Sequence, residues 1–113
     1  MGTYLFSYGT LRTEKVQMQI FGRALTGTKD SLKGYKIELI EIKDALFLER
    51  GEHKNQQTAV PTTDNSNIIY GTVFEISEDE LLLSDKYEPD SYKRIKVVLD
   101  SGKEAWIYVT ESN

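Results

Sequence analysis

The stretch YKRIKVVLDSGKEAWIYVT, Tyr92 to Thr110, constrains the fold more than any other part of the chain. Apolar and polar residues alternate on both sides of Ser101-Gly102, the pattern of two antiparallel strands joined by a tight turn. A lone hairpin is marginal in water, so the rest of the chain must supply more strands and a cover for the apolar face. NIIYGTVFEI, Asn67 to Ile76, reads as another strand, in which Gly71 marks a bulge or a close backbone approach. TYLFSY, Thr3 to Tyr8, reads as a short aromatic-rich strand stopped by Gly9.

Two helices are predicted between the strands. In SEDELLLSDKYEP, Ser77 and Glu80 have capping-box spacing, and Asp79 and Glu80 suit the positive end of the dipole. Pro89 disfavours the α conformation at Glu88, so this helix should stop at or just before that residue. TEKVQMQIFG reads as a shorter helix, capped by Thr13 and ended by Gly22. ALTGTKDSLKGYKIELIEI reads as extended, and its alternation slips by one residue between Leu39 and Ile40, which suggests a bulge or bend. DALFLERG fits a short strand or a turn. Residues 52–67 are polar and turn-prone apart from the edge-like AVP at Ala59 to Pro61. The pattern predicts one α+β domain over residues 1–113, a small mixed β-barrel, closed or half-closed, with short flanking helices.

Several function classes are disfavoured by composition. With no cysteine, disulfides and thiolate metal sites are excluded. The single histidine, His53, has no partner for a metal site. The 14 basic residues are scattered among 18 acids, giving a formal charge of −4, so no nucleic-acid partner is expected. No apolar run approaches the roughly 20 residues that span a bilayer, and the N-terminus lacks the pattern of a signal peptide. The expectation is a soluble cytoplasmic protein without a membrane partner. A monomer and a homodimer joined through the exposed hairpin both remain open. No nucleophile elbow is present, and GTLR lacks the glycines and lysine of a P-loop.

Two stretches have the residue types of a small-molecule site. A strand ending in Tyr8-Gly9-Thr10-Leu11 turns successive backbone N–H groups inward, which makes a concave anion site. Gly9 lacks the Cβ that would hold a ligand off, and Thr10 adds a hydroxyl. Equally, Gly9 could do no more than close a strand. The other stretch is Leu81 to Arg94. Glu88 ends an apolar helix between Tyr87 and Pro89, where the dipole and partial burial among aromatics favour its neutral form. That suits a general base; the competing reading is a solvated surface acid. Tyr92 could bind a ligand or serve as an ordinary core aromatic. Trp106 reads as core.

These stretches together resemble the γ-glutamylcyclotransferase-like (AIG2-like) family. LFSYGTLR matches its Tyr-Gly-Ser/Thr-Leu signature, and YGTVFEI its Gly-x-Val-Tyr/Phe-Glu strand. SDKYEPDSYKRIKVVL matches its Leu-Asp-x-Tyr/Phe-Glu block, gap and Tyr-x-Arg, and GKEAWIYV its closing Ala-Trp-x-Tyr. The chain departs from the pattern at Ser84, where the family has leucine, and at Thr10, where serine is common. It departs again at Leu11, where the peptide-cleaving branch has asparagine. The resemblance implies a β-barrel whose pocket is lined by Tyr8, Gly9, Thr10, Leu11 and Tyr92, with Glu88 as the catalytic acid/base. It implies release of 5-oxoproline from a small γ-glutamyl amine or peptide, with no metal or organic cofactor. The alternative is a binding module on the same fold that holds such a molecule without turning it over.

Overall fold

The computed structural model describes residues 3–41, 55–64, 66–88 and 92–110, with the backbone alone at residues 10, 39–41 and 55–57. DALFLERG and His53 lie outside the described residues. The strands are β1 Thr3–Ser7, β2 Gly27–Lys33, β3 Tyr35–Glu41, β4 Asn55–Pro61, β5 Ile68–Ile76, β6 Tyr92–Val98 and β7 Glu104–Thr110. The helices are α1 Glu14–Phe21 and α2 Glu78–Tyr87, and a 3₁₀ turn covers Thr10–Arg12.

Five strands form one sheet in the order β2-β5-β1-β7-β6, and β3 pairs with β4 as a separate ribbon. β1 runs antiparallel to β5 and parallel to β7, with Leu5 opposite Trp106. Alternation along the strands sorts side chains to two faces. Phe6, Tyr8, Ile69, Val73, Ala105, Ile107 and Val109 face the β3–β4 ribbon, which contributes Ala59 and Tyr35 to that cluster. Leu5, Phe74, Ile76 and Tyr108 face the helices and meet Val16, Leu81 and Tyr87. Leu5, Phe6 and Ile107 are at most 1% exposed, and burying each such side chain contributes roughly 1.5–3 kcal/mol.

The expected barrel is corrected to an open sheet. The β3–β4 ribbon crosses one face as a second layer instead of extending the ladder, so β2 and β6 remain edges. Among the described residues, one main-chain bond draws the edges together, from the Asp100 N–H to the Ser31 carbonyl at 2.9 Å. Ser31 Oγ also donates to Asp100 Oδ2 at 2.6 Å, and Ser101 Oγ donates to Asp30. The expected slip at Leu39 and Ile40 is corrected too. Both stay in regular register with β4, opposite Gln57 and Gln56. The chain turns instead at Gly34, whose φ of 85° an L side chain rarely adopts.

α2 starts as its sequence predicts. Ser77 Oγ accepts the Glu80 N–H, and Glu80 returns the bond to the Ser77 N–H. Arg23 grips both Glu80 oxygens at 2.7 and 2.8 Å. This grip, chiefly, holds the Glu80 carboxyl down from 4.5 to about 2. A carboxyl depressed on folding stabilises above its unfolded pKa and loses that contribution as pH falls through its folded one. Glu80→Gln keeps an acceptor for the capping box but removes the charge. Urea unfolding should therefore show a small wild-type advantage near neutral pH that fades between about pH 4.5 and pH 2.

Candidate active site

Strand direction decides which residues meet. Because β1 and β7 are parallel, their C-terminal ends lie at the same end of the sheet. β6 is antiparallel to β7, and Tyr92 pairs with Thr110, so β6 begins at that end as well. α2 finishes one short connection before Tyr92, which returns Glu88 to the place where β1 runs out into Tyr8 and Gly9. Residues 80 positions apart in sequence thus come to one edge of the sheet.

Tyr8 is 7% exposed, and its phenol is committed within the fold. It donates to the Tyr108 carbonyl at 2.8 Å and accepts the Ala59 N–H at 3.0 Å, tying β1, β7 and β4 together. Beyond it the chain tightens. The Gly9 N–H donates to Ser7 Oγ at 3.3 Å, and the Arg12 N–H and Nε both donate to the Gly9 carbonyl at 3.2 Å. A 3₁₀ turn does not consume the N–H groups at its own start, which here belong to Thr10 and Leu11. A Cβ built on Gly9 meets nothing within 4 Å among the described residues. Leu11 is buried under the helices, and its carbonyl accepts Gln17 Nε2 at 2.9 Å. The Thr10 hydroxyl lies outside the described atoms.

Glu88 is half-buried and caps α2 in an extended conformation, φ −69° and ψ 146°. This is the geometry a following proline imposes. Its N–H donates to the Ser84 carbonyl at 3.1 Å. The carboxylate acts on three phenols at once. Tyr8 is pushed up to about 12, mainly by burial, with the Glu88 charge adding to the rise. Tyr92 is raised by burial, then by Tyr8 and Glu88. Tyr108 is raised by burial, by its hydrogen bond to Asp85 and by Glu88. The structure therefore brings Glu88, Tyr8 and Tyr92 to one locus, with Gly9, Thr10 and Leu11 continuing from Tyr8.

A polar cluster beneath this locus escaped the sequence reading. Tyr108 Oη donates to Asp85 Oδ1 at 2.6 Å and lies 2.6 Å from Ser84 Oγ. Arg94 grips both Asp85 oxygens at 2.9 and 3.0 Å and stacks 4.3 Å from the Trp106 ring centre. Trp106 is half-buried, with Lys96 also over its ring at 4.8 Å. One signal for the cluster was available. Leu81, Ser84 and Tyr87 recur every third position on the buried stripe of α2, and a hydroxyl on such a stripe must find a partner.

Other candidate sites are weaker. A groove of about 520 Å³ lined by Thr3, Arg23, Glu75 and Glu80 lies at the opposite end of β1, but its arginine is taken up by Glu80. Among the described residues no three His, Asp or Glu side chains converge as metal ligands, and no helix is long and apolar enough to cross a membrane.

Comparison with known proteins agrees with this architecture. The sequence pattern of the family described as Gamma-glutamyl cyclotransferase, AIG2-like, matches residues 5–113. Among proteins of curated function, none is similar enough in sequence to match. Solved structures resemble the fold. YkqA from Bacillus subtilis is 28% identical with a TM-score of 0.66, over 98% of this chain and 36% of its own. The Arabidopsis thaliana protein At3g28950.1 is 22% identical with a TM-score of 0.68, over 97% of this chain and 62% of its own. A structure named Gamma-glutamyl cyclotransferase is 18% identical with a TM-score of 0.69, over 99% of this chain and 68% of its own. The chain thus spans about three-fifths of the Arabidopsis protein and about a third of YkqA.

Proposed function

Because the chain belongs to the γ-glutamyl cyclotransferase, AIG2-like family, we propose that it converts a γ-glutamyl amine or peptide to 5-oxoproline and a free amine, with Glu88 as the acid/base. One observation supports the reading: β1 runs parallel to β7 and Tyr92 pairs with Thr110, so the turn after Tyr8 and the junction between α2 and β6, where Glu88 stands, belong to one end of the sheet.

The reaction is an internal transfer. The substrate's α-amine attacks its own γ-carbonyl carbon, a C–N bond forms and closes a five-membered lactam, and the C–N bond to the departing amine breaks. Nothing is oxidised and no water is consumed. Since nucleophile and electrophile share one molecule, the enzyme's main task is to fold a flexible chain into the reactive shape, which can supply several kcal/mol. In this proposal the N–H groups of Thr10 and Leu11 hold the α-carboxylate and fix one end of the substrate. Glu88 takes a proton from the attacking amine and passes it to the departing nitrogen, which cannot leave as an anion. One carboxylate serves both steps in turn, and no side-chain nucleophile is required.

Incubation with a panel of γ-glutamyl amines, amino acids and peptides, followed by quantitation of 5-oxoproline, tests the proposal. Release from at least one member is expected. Thermal stabilisation by panel members without product would instead favour a binding module. Absence of both would remove the γ-glutamyl reading.

A further inference from the structure

Ser84 makes two structural connections at once. Its carbonyl accepts the Glu88 N–H at 3.1 Å. Its hydroxyl, fully buried, lies 2.7 Å from the Leu81 carbonyl and 2.6 Å from the Tyr108 phenol, and because Tyr108 gives its one proton to Asp85, the hydroxyl donates to Tyr108. The carbonyl of that same Tyr108 accepts the Tyr8 phenol at 2.8 Å. Three hydrogen bonds therefore lead from the residue that opens the N-terminal turn to the residue that ends α2. We propose that Ser84 is a positioning residue for Glu88, fixing the acid's separation from the Tyr8–Leu11 turn by way of Tyr108. The inference rests on the acid/base reading of Glu88.

The physical case begins with burial. A hydroxyl at a fully covered helix position costs free energy unless its bonds are made, and an apolar residue would fill the same space without that demand. Here the hydroxyl joins a run of polar groups that is anchored at its far end. Asp85 accepts from the Tyr108 phenol and from Arg94 Nε and Nη2, and Arg94 is held against Trp106. Tyr108 is thus braced at its phenol by α2 and at its carbonyl by β1. Glu88 follows Ser84 by one helical turn, so a change in how α2 seats on β7 moves the carboxylate relative to the turn. Small displacements of a reacting group can cost about 100-fold in rate while leaving substrate affinity intact.

Two variants and two readouts test this. Ser84→Ala removes the hydroxyl, and Tyr108→Phe removes its partner while keeping ring and carbonyl. With γ-L-glutamyl-L-alanine and γ-L-glutamyl-n-butylamine as probes, each variant should lose about 10- to 100-fold in kcat with KM changed less than about twofold. The double variant should be no slower than Tyr108→Phe alone, because that change already breaks the connection Ser84→Ala removes, along with the phenol's bond to Asp85. Amide exchange followed by NMR supplies a readout that needs no turnover. In Ser84→Ala, exchange at the Glu88 N–H should accelerate about tenfold more than exchange at Leu5 and Ile107, which report global opening. A fall in melting temperature with kcat and relative Glu88 exchange unmoved would overturn the proposal. If the wild-type protein turns over neither probe, the acid/base reading is weakened for these substrates, and the exchange measurement alone decides whether Ser84 positions Glu88.

Discussion

Glu88→Gln should lower turnover of any active γ-glutamyl substrate by about 10²- to 10⁴-fold, the range that one general acid/base supplies. The substitution isolates proton transfer. Glutamine has the same length and shape, and the backbone bond from residue 88 to the Ser84 carbonyl does not involve the side chain. The melting temperature should therefore change little. Affinity for a γ-glutamyl ligand should also persist, since the proposed carboxylate contacts lie in the Tyr8–Leu11 turn. Spectroscopic titration of the phenols gives an independent check that the carboxylate sits where described. Its charge helps raise Tyr8, Tyr92 and Tyr108, so removing it should let the group ionise at lower pH, by a modest amount because burial is the larger cause at each. Near-normal kcat in a folded Glu88→Gln protein would leave the proposed chemistry without its proton carrier.

What the sequence disclosed and what it hid follow from the range of the forces involved. α2 and its end at Tyr87 were legible because a capping box and a proline act over three or four residues. The β6–β7 hairpin was legible because alternation and a Ser-Gly turn are equally local. At Gly71 the sequence offers either a bulge or a close backbone approach. The structure decides for the close approach, with Gly71 in regular register opposite Asp30 and no bulge. Closure of the sheet was not legible, because it depends on whether β2 and β6 meet along their length, and no local pattern encodes that. The Ser84–Tyr108–Asp85–Arg94 cluster was hidden for the same reason: each member has an ordinary local role, and only the β6–β7 register and the seating of α2 bring them together. Of the candidate site, local chemistry picks out Tyr8–Leu11 and Glu88 and the family resemblance strengthens both, whereas their place at one end of the sheet follows from the parallel pairing of β1 with β7.

Two glycines at this end of the molecule should respond in opposite ways to the same methyl group. A Cβ on Gly71 would fall on the Ser7 carbonyl oxygen and lie 2.8 Å from Phe6 Cζ. The carbonyl belongs to the central strand, and the ring is 1% exposed in the core, so neither has room to yield. Overpacking of this kind costs about 1–3 kcal/mol, and more where backbone must move. Gly71→Ala should therefore destabilise by about 3 kcal/mol or more, a fall in melting temperature above roughly 10 °C for a domain of this size. It should also disturb the site, because Ser7 leads directly into Tyr8. Gly9→Ala is the counterpart. Gly9 has no positive φ, and its Cβ would meet no described atom within 4 Å, so the melting temperature should hold. If the turn receives a substrate carboxylate, the added methyl occupies space the ligand needs, and KM should rise with little loss of stability. Thermal melts of both variants, with kinetics on Gly9→Ala, separate the glycine that packing requires from the one the site would use. Equal melting losses in the two would contradict the packing described here, and an unchanged KM in Gly9→Ala would argue against a carboxylate seated on this turn.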